Sequence, residues 1–120
     1  MFELISVFAS AARTATPTAA VIQIPAEAMY VDIEIEATAI NLTPSVVFNV
    51  EYQASSGAWV VALASAAVTA VSTVLLRLGP DVATTANLSA PLVLPSNLRI
   101  RPVHGDADSI TYSVVAKARG

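Results

Sequence analysis

The chain has 120 residues, of which 55% are apolar and only 12% charged, with six Lys or Arg against nine Asp or Glu and no cysteine. That length predicts a single domain over residues 1–120, with enough apolar side chains for a packed core although 23 of them are alanine. A net charge of −3 offers no grip on a phosphate backbone, high apolar content with low charge excludes disorder, and the lack of cysteine removes disulfides, thiolate zinc sites and thiol nucleophiles.

The apolar N-terminal run, residues 2–8, predicts a strand; Glu3 stands where a secretory leader carries its basic residue, so no signal peptide is expected. A second short run follows at Ala19 to Ile24. Strict alternation begins at Tyr30, with Val31, Ile33 and Ile35 on one face and Asp32, Glu34 and Glu36 on the other, the pattern of a half-buried strand. Val46, Phe48, Val50 and Tyr52 repeat that period, and Ser55-Ser56-Gly57 predicts a tight reversal into Trp59, Val61 and Leu63. The stretch from Ala58 to Leu76 carries no charge and is long enough to cross a bilayer as a helix. Its valines, Ser65, Thr69, Ser72 and Thr73, and the absence of basic flanks, instead predict two consecutive strands, and no membrane partner is expected.

Beyond Val71 to Leu78 the chain runs through a long connection, Gly79 to Asn97, with three prolines. It then resumes alternation at Leu98 and Ile100 against Arg99 and Arg101, and again at Ile110, Tyr112, Val114 and Ala116. Most of the seven prolines fall at run boundaries, where a missing N–H costs no ladder bond. About eight amphipathic strands without a helical stripe predict an all-β fold: two antiparallel sheets packed as an immunoglobulin-like or jelly-roll β-sandwich, with a closed small barrel as second choice. Sequence does not fix the strand order. Ala9 to Ala15 is echoed by Ala64 to Ala70, each after an apolar strand. Continued loosely, the echo sets the strands at Asp32 and Val46 against those at Leu98 and Ile110, as two related four-strand halves.

Chemistry-bearing constellations are sparse. His104 is the sole histidine, near Asp106 and Asp108, but there is no Gly-x-Ser-x-Gly elbow and no full calcium loop, so a turn residue is expected rather than a catalytic or metal-binding one. Asp32, Glu34 and Glu36 sit in a row on one surface instead of facing each other across a cleft, as glycosidase carboxylates do. Arg99 and Arg101 form a complementary basic row that could pair with them across a sheet or across a subunit contact. Trp59, the only tryptophan, is expected to anchor a core or interface, with sugar stacking as the alternative. No catalytic, cofactor or metal residue is assigned. Partner binding is expected of Asp32, Glu34, Glu36, Trp59, Arg99 and Arg101.

Three strings add a resemblance: Phe8-Ala9-Ser10-Ala11-Ala12-Arg13-Thr14-Ala15-Thr16, Thr43-Pro44-Ser45-Val46-Val47-Phe48, and His104 through Val114. With the Ala64 echo and Arg99 to His104, they resemble small virion structural proteins of tailed bacteriophages and prophages. The likeness spans most of the chain but lies in strand and turn signatures. It implies a non-enzymatic capsid decoration, or cement, protein, assembled in the host cytoplasm and placed on the capsid surface. Its expected partners are the major capsid protein and copies of itself, a trimer being favoured. A tail or head-fibre component with a carbohydrate- or surface-binding role is the nearest alternative.

Overall fold

The computed structural model describes residues 2–120, with Phe2 described by its backbone alone. Its strands are β1 (Phe2–Arg13), β2 (Ala20–Gln23), β3 (Tyr30–Ile40), β4 (Val46–Gln53), β5 (Trp59–Ala64), β6 (Ser72–Gly79), β7 (Ser89–Pro91), β8 (Asn97–His104) and β9 (Ile110–Arg119). They form two sheets, one ordered β1-β9-β3-β6-β7 and the other β2-β8-β4-β5. All neighbours are antiparallel except β6 and β7. The expected β-sandwich is therefore present. The Ala58 to Leu76 stretch is two strands and their connection, and no helix among the described residues is long and apolar enough to cross a membrane.

The pairings β1/β9, β2/β8, β3/β6 and β4/β5 are nested around the β4–β5 reversal. A long hairpin folded over on itself in this way is a jelly roll of two Greek keys, which resolves the choice that the sequence left open. The ninth strand, β7, lies inside the long connection from Gly79 to Asn97. It runs parallel to β6, fixed by Arg77 N–H donating to Leu88 O at 2.9 Å and Leu92 N–H to Gly79 O at 2.8 Å. The two predicted halves correspond topologically: replacing β1, β9, β3 and β6 by β5, β4, β8 and β2 turns one sheet's order into the other's, read in reverse.

Alternation explains why these segments are strands. Val31, Ile33, Ile35 and Ala37 of β3, and Ile110, Tyr112, Val114 and Ala116 of β9, point inward onto Phe48, Val50, Leu98 and Ile100 of the opposite sheet. Phe48 and Tyr112 meet edge to face across the sandwich, centroids 5.0 Å apart at 88°. Each buried Val, Leu, Ile or Phe among them contributes roughly 1.5–3 kcal/mol of transfer free energy, and the alanines less. Buried Ser65 extends the ladder beside β4: its N–H donates to Phe48 O, its Oγ accepts from Phe48 N–H at 2.9 Å, and its hydroxyl donates to Ala66 O. Pro102 falls in β8 beyond the last β2 partner, where its missing N–H breaks no bond, and Pro91 lies on edge strand β7. Gly79 is favoured by close approach, since a Cβ there would run into the ring of Tyr30.

Within the molecule the charged rows do not pair across a sheet. Asp32, Glu34 and Glu36 lie on β3 and the arginines on β8, in different sheets with the core between them. Strand register supplies other partners. Asp32 accepts from Arg77 Nε at 2.8 Å and lies 3.7 Å from Arg119, Glu34 meets Lys117, and Arg99 and Arg101 both reach Glu51.

Candidate functional site

The outer face of the β2-β8-β4-β5 sheet gathers three of the six residues expected to bind a partner. Antiparallel register lines up Val21, Arg99, Glu51 and Val61 in one row across all four strands, because directly opposed residues share a face. Arg101 occupies the next row beside Asn49, and Trp59, opposite Gln53, closes the patch from β5.

Glu51 is the centre of this arrangement. Its side chain is 2% exposed although it points outward, because two guanidinium groups cover it. Arg99 Nε donates to Oε1 at 2.7 Å and Arg101 Nε donates to Oε2 at 3.0 Å, so each carboxylate oxygen receives a charge-assisted bond. Arg99 also lies over the Trp59 ring, 4.7 Å from its centroid, a cation–π contact that covers part of that indole. The Nη groups of Arg101 make no hydrogen bond among the described residues. Two cations against one anion leave the cluster with a surplus positive charge, flanked by Val21 and Val61, which are 50% and 47% exposed. Trp and Arg beside exposed aliphatics are the residue types that dominate binding energy in protein interfaces.

Glu51 escaped the sequence reading, as did Arg77, Lys117 and Arg119. The available signal was the outward series of β4, Val47, Asn49, Glu51 and Gln53, in which Glu51 is the single charge. Its two partners come from a strand 48 and 50 residues later, so only register reveals the cluster.

On the other sheet's outer face the acidic row is largely neutralised. Asp32 and Glu34 have the ion pairs given above, whereas Glu36, set between Thr73 and Ser113, is exposed and has no partner among the described residues.

The His104 neighbourhood is arranged as packing. His104 Nε2 lies 3.0 Å from the Tyr112 hydroxyl. Asp106 accepts from Asp108 N–H, and Asp108 accepts from Thr43 N–H and hydroxyl, so neither carboxylate orients the imidazole. Burial, then the nearby Arg13 charge, lowers the His104 pKa. Burial pushes the Tyr112 phenol up to about 12. A neutral imidazole against a neutral phenol follows. Arg13 seals this end of the sandwich, with its guanidinium 4.5 Å from the Tyr112 centroid and donating to the carbonyls of Ala9, Ala11 and Tyr112.

Two cavities of about 390 and 330 Å³ flank the β6 edge and share Leu88. Alanine, valine, leucine, serine and threonine form most of their walls, with Asn87 and Arg77 the other polar groups. All six cations are thus engaged within the molecule, five with carboxylates and Arg13 with carbonyls. Comparison with protein-family models, characterised proteins and solved structures finds no match to this chain.

Proposed function

We propose that the protein is a non-enzymatic virion structural protein that docks on the outside of a phage head and stabilises it by clamping neighbouring major capsid protein subunits, as a trimer or other cluster. The observation that carries this reading is the engagement of every cation inside the molecule. What remains outside is sheet faces that carry the unpaired Glu36, the partly exposed arginine pair and scattered aliphatics, among them Leu42 and Val93 at 74% and 80% exposed. Covering such surface with neighbours is favourable by about 25 cal/mol per Å² of apolar area, and a lattice repeats the contact many times. The sequence resemblance supplies the virion setting, and the jelly-roll strand order is compatible with it by analogy of fold alone.

The test uses purified particles that lack the protein. Added protein is expected to bind in hundreds of copies per particle, counted by electron microscopy, and to raise survival of heat and osmotic shock. Replacing Arg99 and Arg101 by glutamine keeps donors for Glu51 and should lower occupancy. A handful of copies per particle would move the protein to a tail or fibre. Absence of binding would reject the reading.

A further inference from the structure

We propose that the outer face of the β2-β8-β4-β5 sheet binds a second copy of this chain, with Glu36 of one copy seated on the Arg99 and Arg101 pair of the next. The contact rests on that reading and deepens it, naming the surfaces that would join copies into the proposed cluster, and it needs no lattice. Its argument is charge complementarity between two faces of the same molecule. On the β8 side, Glu51 takes the Nε of each arginine and also Nη2 of Arg99, and holds both planar groups in place, while the Nη donors of Arg101 remain unspent. Arg101 is 39% exposed and Arg99 24%, so the pair is reachable from outside yet already ordered. Guanidinium donors fixed in this way suit a carboxylate, which they bind through parallel N–H bonds.

The carboxylate is supplied by the opposite sheet. Of the three acids on β3, Glu36 alone lacks an ion pair among the described residues, and the residues across from it, Thr73 and Ser113, are uncharged and small enough to let a partner approach. Exposed aliphatics accompany both halves: Val21 and Val61 beside the arginines, Leu75 and Leu4 on the face that carries Glu36. Exposed ion pairs alone add little, so the aliphatics supply affinity and the charges set register and rate. The two faces lie on opposite sides of the sandwich, so the contact is heterologous. It forms a ring where the rotation closes and an open chain where it does not.

The test is sedimentation velocity of the purified chain over a wide concentration range, at low and at high salt. The wild-type protein is expected to sediment faster as concentration rises, and less so when salt shortens the screening length from about 10 Å to about 3 Å. Glu36→Arg changes an exposed side chain with no partner to lose, and it should weaken association at least about tenfold, as expected when like charges oppose at a contact. Arg101→Gln, which still donates to Glu51, should weaken it as well. Glu27→Arg makes the same change in net charge at an exposed site between β2 and β3 and should leave association unchanged. A wild-type protein that stays monomeric at every concentration overturns the proposal. So does a Glu27→Arg loss as large as that of Glu36→Arg. Neither result touches docking on the capsid itself, which is measured separately on particles, although a lone monomer would remove the cluster from that reading.

Discussion

Tyr112 is fully buried, and its hydroxyl lies within hydrogen-bonding distance of His104 Nε2. The folded protein holds His104 below its ordinary value of 6.5, so an unfolded chain takes up that proton first as pH falls. The stability associated with the neutral imidazole is complete above 6.5 and declines as pH drops toward the lowered folded value. Urea titrations across this window should show that decline, and His104→Gln should flatten it. At alkaline pH the Tyr112 phenol ionises near 10 in the unfolded chain but only at about 12 when folded, so stability falls between those values and Tyr112→Phe should remove that component. The Glu51 cluster allows a second measurement. Arg99→Ala loses both a Glu51 bond and the Trp59 contact, whereas Arg101→Ala loses a bond from a more exposed group. Equilibrium denaturation should therefore show Arg99→Ala costing about 2 kcal/mol or more and Arg101→Ala distinctly less, since a carboxylate left buried with fewer partners is costly.

At the scale of elements, β1 is a twelve-residue edge strand, the kind of surface that recruits other chains. Two register shifts, between Ser6 and Phe8 and between Phe8 and Ala11, break its flatness, and Arg13 bonds two of its own carbonyls. Arg13→Ala removes that protection and uncovers Tyr112, so light scattering on mild heating should rise well above wild type. The same strand marks where sequence reading ended. Phe2 to Phe8 has volume contrast, but Ala9 to Ala12 contains only small side chains, and no periodicity separates an inner from an outer face. The three-residue β7 offers too short a pattern to read, and its parallel partner is fixed by backbone bonds alone. By contrast, β3, β4, β8 and β9 alternate inward apolar and outward polar residues and were legible over most of their length, although β3 runs on past Ala37 to Ile40 and β9 past Ala116 to Arg119. The six expected contact residues were placed correctly on strands, yet the rows do not pair across a sheet, because period-two alternation specifies a face and carries nothing about which sheet lies alongside.

For the whole molecule, the nested order sets the kinetics of folding. The β4–β5 reversal closes a short loop around Gly57, whose φ of 94° suits glycine, while β1 and β9 join residues as far apart as Phe2 and Arg119. Topologies dominated by such distant pairings fold on the scale of milliseconds to seconds. Stopped-flow refolding should fall in that range and be slower than for a helical bundle of similar stability. Strand β9 holds the sheet together, with β1 on one side and β3 on the other. While the chain is being synthesised, both neighbours leave the ribosome before the strand that joins them, and neither can substitute for it. The larger sheet therefore closes only once β9 has been made, and until then the inner faces of β1 and β3 have no strand between them.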